Sequence, residues 1–108
     1  MPRLNLTYST GIVLLALARG RRYGFDIMDA SGLPDGTVYP ALRRLEAAGM
    51  VESAWEDEAT ARADKRPARR YYRLTAAGQR ALESALARYP GLGRVLPAYE
   101  APEPGTAR

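Results

Sequence analysis

Cysteine and histidine are both missing from this chain. Their absence excludes disulfides, thiol nucleophiles, zinc sites built on Cys or His, and any Ser-His or Cys-His catalytic pair. The carboxylates Glu52, Glu56, Asp57 and Glu58 crowd together in sequence. They lack a His partner and fall on a strand end and a loop, so they read as a solvated acidic patch. No catalytic residue, metal site or cofactor is expected. Long apolar runs are missing as well: the longest, Ile12 to Ala18, has seven residues, against the ~20 needed to cross a bilayer. It stops at Arg19, Arg21 and Arg22 with no small-residue cleavage signal, so neither an anchor nor a leader is expected and the cytoplasm is the expected location.

Lysine is nearly absent too. Fifteen of the sixteen basic residues are Arg, against twelve acids, which leaves a net charge of +4. Arg carries a planar fork that fits phosphate bidentately and stacks on aromatic rings, so the bias leans toward an anionic partner. With 108 residues, 46% of them hydrophobic and 26% charged, the chain has room for one domain. Its core is modest enough that a partner subunit would help it.

The apolar run predicts a first helix over residues 8–19, with Thr7, Ser9 or Thr10 as candidate N-caps and Gly20 at its stop. Its surface is apolar nearly all the way round, which requires enclosure by its own core, a C-terminal helix or another subunit. Tyr23 to Ala30 predicts a short second helix ending at Gly32. A third reaches to Gly49 with a core stripe of Val38, Ala41, Leu42, Leu45 and Ala48. Pro40 inside that helix would cost about 3 kcal/mol, so it is expected in the first turn, with Thr37 as N-cap or Asp35 ahead of a distorted turn. The side opposite the stripe carries Gly36, Pro40, Arg43 and Ala47, with Thr37, Tyr39 and Arg44 on its shoulders.

Val51 to Asp57 and Arg69 to Leu74 read as two strands, with Tyr72 and Leu74 turned to the core. Glu58 to Ala68 between them lacks apolar anchors and reads as a mobile loop. From Thr60 to Arg73 six basic residues meet one acid, a net of +5. Thr75 caps a fourth helix, from Ala76 to about Tyr89, whose Leu82, Leu86 and Tyr89 follow the spacing of a helix seam. Leu92 to Tyr99 reads as a packing arm and Glu100 to Arg108 as a disordered tail.

Helix, helix, turn, helix and a hairpin with a basic tip is the order of a winged helix-turn-helix: mainly α with a small β hairpin, an α+β fold. Residues 1–74 would form this unit, 75–91 a C-terminal dimerisation helix, and 92–108 the arm and tail. A helix fits the ~12 Å major groove of DNA, and a basic hairpin reaches neighbouring phosphates.

Two blocks then carry a resemblance. Gly36-Thr37-Val38-Tyr39-Pro40-Ala41-Leu42-Arg43-Arg44-Leu45-Glu46 leads into Ala47-Ala48-Gly49-Met50-Val51. Arg69-Arg70-Tyr71-Tyr72-Arg73-Leu74-Thr75-Ala76-Ala77-Gly78 follows. Together with Ile12 to Leu17 and Tyr23 to Ile27, they resemble the short-chain subgroup of the PadR family of bacterial transcriptional regulators, over roughly residues 10 to 80. The resemblance implies a winged-helix homodimer, usually a repressor on an inverted-repeat operator and often released by a phenolic or drug-like effector. Where the family commonly has His-Gly-Tyr, this chain has Tyr23-Gly24-Phe25, so no role of that His transfers. The wing loop is longer and more basic than usual. The chain also ends soon after the fourth helix, so dimerisation would rest on the first helix (Leu14, Leu17) and the seam of Leu82, Leu86 and Tyr89.

For DNA contact the expected residues are Thr37, Tyr39, Pro40, Arg43 and Arg44 on the third helix and Lys65, Arg66, Arg69 and Arg70 on the wing. Arg43 or Arg44 would reach guanine; the plain alternative is solvated helix charge. Tyr39 is divided between a phosphate contact and packing against the wing, and Pro40 is more a marker of the helix start than a contact. Lys65 and Arg66 are taken as unpaired charge on a flexible loop, suited to phosphate. Trp55 is the candidate for stacking on a small aromatic effector, against the plain alternative of packing on its own domain. Double-stranded DNA and a second copy of the chain are thus the expected partners, with no membrane. The competing function is a ligand-sensing or protein-interaction module whose basic wing binds an acidic protein.

Overall fold

The structure, a computed structural model, describes residues 6–96. Its elements are α1 (Tyr8–Ala18), α2 (Gly24–Ser31), α3 (Asp35–Ala47), β1 (Val51–Trp55), α4 (Glu58–Ala63), β2 (Arg70–Leu74), α5 (Ala76–Arg88) and a 3-10 turn, Leu92–Arg94. This is the α+β winged helix-turn-helix followed by a C-terminal helix. Tyr99 and the Glu100 to Arg108 tail lie outside the described residues.

Thr7 caps α1, its Oγ1 accepting a hydrogen bond from the Thr10 amide at 3.2 Å. Every residue from Thr10 to Leu17 is buried, because α2, α3, α5, β2 and the 3-10 turn surround the helix. The all-round apolar surface of α1 is therefore used within the chain. This corrects part of the expected dimer seam: Leu14 and Leu17 on α1 and Leu82 on α5 are buried in their own core. Tyr89 stacks edge to face on Tyr8 at 5.3 Å and donates its hydroxyl proton to the Leu6 carbonyl at 3.2 Å. Leu86 remains at the surface, 36% exposed.

The turn after α5 folds back. Leu92 and Leu96 are buried, and the Arg19 guanidinium donates to the carbonyls of Gly93, at 2.6 Å, and of Leu96. The first half of the expected arm thus packs beside α1, and Arg19 is its clamp. At the other end of α5, Thr75 accepts from the Gly78 amide at 3.1 Å. A Cβ on Gly78 would stand 1.9 Å from the Met50 carbonyl oxygen, so only glycine lets the two backbones approach.

Two local expectations fail for physical reasons. α3 begins at Asp35, with Pro34 as N-cap, and Pro40 lies inside it rather than in its first turn. The amides of Thr37 and Val38 already donate to the Pro34 carbonyl at 2.9 and 3.0 Å, so Thr37 is not the cap. Pro40 has no N–H to give the Gly36 carbonyl, a loss that solvent can offset because Gly36 is exposed. The second failure is the mobile loop, part of which is α4. Three alanines favour helix, Glu58 opens it and Arg62 closes it in the sense of the helix dipole, and buried Ala61 is the anchor that seemed absent.

β1 and β2 pair antiparallel with Val51 opposite Leu74 and Trp55 opposite Arg70. Tyr72 and Leu74 pack against the core, as expected. Tyr23 bridges to Tyr71, and the Tyr72 amide donates to the Arg22 carbonyl at 2.7 Å, so the segment before α2 lies along the wing as a third edge.

Candidate nucleic-acid interface

The outward side of α3 presents Arg43 and Arg44, both exposed, with side chains neither hydrogen-bonded nor ion-paired among the described residues. One turn earlier the Tyr39 ring lies across Gly24 at the start of α2; a Cβ there would be 2.3 Å from Tyr39 Cε1. The packing partner of Tyr39 is thus α2, and its ring remains partly open to solvent. Thr37 and Pro40 are half-buried on the same helix.

On the wing the charge is less lopsided than its sequence. Arg66 is not the unpaired cation expected of it: it grips Glu56 with both terminal nitrogens, at 2.6 and 2.7 Å, and Asp64 at 3.2 Å. Arg70 donates from Nε to Ser53 at 2.9 Å, reaches Glu46 at 3.5 Å and stands 5.6 Å from the centre of the Trp55 ring. Arg73 pairs with Glu52 at 2.6 Å. The side chains of Arg62 and Lys65 have neither hydrogen bonds nor ion pairs among the described residues, and both residues are exposed. The Arg69 guanidinium lies 4.3 Å from the centre of the Tyr23 ring with no carboxylate partner among the described residues. The three cations left for an external anion are therefore Arg62, Lys65 and Arg69.

Glu56 is the centre of the wing, and reading it as part of a solvated patch missed this. Its carboxylate accepts from the Arg66 guanidinium, from the Arg69 amide at 3.1 Å and from the Tyr71 hydroxyl at 3.3 Å. Its own amide donates to the Arg69 carbonyl at 2.7 Å. The Arg66 guanidinium, seconded by the other donors, lowers the Glu56 carboxyl from 4.5 to about 2. The side chain is 8% exposed. No sequence spacing signals this role; Arg62, also passed over, was detectable as the C-terminal cation of an Ala-rich hexamer.

Between α2, α3 and the wing runs a cleft of about 400 Å³, bordered by Phe25, Tyr39, Trp55, Arg69, Arg70 and Tyr72. Phe25 and Trp55 are 67% and 66% exposed, so Trp55 does not pack into its own domain. Tyr23 and Tyr71 meet edge to face at 5.6 Å and hold α2 against the wing.

Known proteins share this fold. A PadR family transcription regulator from Clostridium difficile R20291 is 26% identical, with a TM-score of 0.67 over 82% of this chain and 94% of its own. A transcriptional regulator from Clostridium thermocellum is 25% identical, with a TM-score of 0.65 over 82% of this chain and 88% of its own. A PadR family regulator from Eggerthella lenta DSM 2243 is 27% identical, with a TM-score of 0.59 over 82% and 83%. No curated protein matches. Residues 13–84, two thirds of the chain, match the model of the transcriptional regulator PadR-like family. The chain therefore belongs to the PadR-like family, whose members are DNA-binding transcriptional regulators.

Proposed function

We propose that the protein is a homodimeric repressor that binds a palindromic operator, with α3 in the major groove and the wing along the backbone. The observation that carries this reading is the set of unpaired cations on the two elements bordering the cleft, Arg43 and Arg44 on α3 and Arg62, Lys65 and Arg69 on the wing. Arg43 and Arg44 read guanine, where a bidentate contact discriminates by roughly 1–3 kcal/mol. Thr37 and Tyr39 offer hydroxyls to phosphate. Lys65, Arg69 and Arg62 neutralise backbone charge, while Arg66 and Arg70 chiefly hold the wing together and Pro40 shapes the helix. The protein acts by binding, not catalysis, and a cytoplasmic location follows from its partner. No described helix is long and apolar enough to cross a membrane.

The second copy docks on the strip formed by Leu86, Tyr89, Tyr8 and Val95. Leu86, Tyr8 and Val95 are exposed apolar side chains, and the strip draws on α1, α5 and the 3-10 turn together. A twofold axis there presents two α3 helices about one DNA turn, ~34 Å, apart.

The test is selection of bound fragments from sheared genomic DNA at ~150 mM salt, followed by titration of the winner against random duplex. A palindromic winner held ~10³-fold or more tighter than random DNA supports the reading. Absence of enrichment counts against it and turns attention to an acidic protein partner. A second reading rests on the cleft: its exposed Trp55 and flanking arginines suit a small planar aromatic effector. Saturable quenching of the fluorescence of Trp55, the only tryptophan in the chain, with parallel loss of DNA would support it.

A further inference from the structure

We propose that Glu56, an acid in the middle of a surface that binds a polyanion, is a positioning residue for DNA binding: it closes the wing tip so that Arg62 and Lys65 meet the backbone. The inference rests on the DNA-binding reading. The last regular pair of the hairpin is Trp55 with Arg70. In the next pair the Glu56 amide still donates to the Arg69 carbonyl at 2.7 Å, but the return bond is made by the Glu56 carboxylate, which accepts from the Arg69 amide at 3.1 Å in place of the Glu56 carbonyl. The same carboxylate holds Arg66 at 2.6 and 2.7 Å, tying together the two ends of the segment that contains α4.

A six-residue helix has too few internal bonds to persist alone, so α4 depends on this closure. Closure also sets the direction of two cations. Arg62 occupies the last turn of α4. Lys65, at a φ of 58°, follows with its amide bonded to the Arg62 carbonyl at 3.0 Å, and the Arg66 amide returns to the Ala61 carbonyl at 3.1 Å. The tip is a compact knot that presents Arg62 and Lys65 and withholds Arg66.

Simple charge counting and positioning predict opposite signs for one substitution. E56Q makes the protein more positive and frees Arg66, so by charge alone it should bind random duplex more tightly, with a salt slope steeper by about one per protomer. If Glu56 positions the tip, E56Q weakens binding to random duplex about tenfold or more at 50 mM salt and flattens the slope by up to two per protomer, the share of Arg62 and Lys65. The exchange E56R/R66E keeps the net charge and restores the ion pair but not the bonds from the Arg69 amide and the Tyr71 hydroxyl, which an arginine cannot accept, so it should recover both readouts in part. Tighter binding by E56Q with an unchanged or steeper slope would overturn the proposal. If E56Q does not fold, R62Q/K65Q in the intact wing replaces it: loss of about two slope units per protomer supports the proposal, and an unchanged slope overturns it. A readout without DNA separates this idea from the reading beneath it. Tryptic cleavage after Arg62, whose neighbours are the same in every variant, should be faster in E56Q than in the parent and slower again in the exchange; equal rates sink the positioning role even if the protein binds DNA well.

Discussion

Tyr39 lies in the space that a side chain on Gly24 would need, its Cε1 2.3 Å from where a Cβ would stand. The contact joins the start of α2 to the outward side of α3, so α3 is oriented partly by a missing methyl group. G24A forces the ring to turn away or the helices to separate, at a cost of about 1–3 kcal/mol as in other overpacked sites. G24A/Y39A should regain most of that stability in urea, a non-additivity that marks the pair, and should still bind operator less tightly than the parent. Additive losses would mean the two residues do not share the site.

Arg43 and Lys65 should fail in different ways. R43Q is expected to lose operator affinity by about 1–3 kcal/mol while keeping its affinity for random duplex. K65Q should weaken both alike and lower the salt slope by about one. Titrations of both duplexes at several salt concentrations separate the two; equal losses for R43Q on operator and random DNA would remove it from base readout.

The wing tip should resist acid. The Glu56 carboxyl is lowered from 4.5 to about 2, so its ionised form favours the closed wing. That contribution is complete above 4.5 and disappears as the pH falls through about 2. Titration of the Glu56 carboxyl carbon by NMR should give a midpoint near the lower value, and a midpoint near 4.5 would mean that the pair with Arg66 does not persist.

Leu82 and Leu86, one turn apart on α5, should respond differently to a charge. L86E, at a side chain already 36% exposed, is expected to shift the proposed dimer toward monomer in sedimentation while leaving the melting midpoint of the monomer little changed. L82E puts a carboxylate into the core and should prevent folding. A dimer undisturbed by L86E would send the search for the interface elsewhere.

Local signals in the sequence were legible. Thr7 and Thr75 cap where cap chemistry predicts, the stripe is buried at Val38, Ala41, Leu42 and Leu45 but not at Ala48, which caps the end of α3 and is exposed, and Tyr72 and Leu74 reach the core. Interactions across the hairpin were not. Glu52 stands opposite Arg73, Glu46 reaches Arg70, and Glu56 takes Arg66, so a segment that counts as strongly basic spends half its cations on acids elsewhere. Those pairings depend on strand register, which the long excursion between β1 and β2 leaves unspecified. The start of α3 was missed for a similar reason: the rule against helical proline is a cost, and exposed Gly36 makes the cost bearable.

The hydrogen bond from Tyr89 to Leu6 joins residues 83 apart, and those from Arg19 reach Gly93 and Leu96, 74 and 77 apart. Almost the whole described chain is therefore one closed loop, with both ends against α1. The entropy lost on closing a loop grows only slowly with its length, but it must be spent before contacts of such high sequence separation form. α2, α3 and the hairpin can assemble from near neighbours, whereas seating the last turn against α1 belongs late on the folding route.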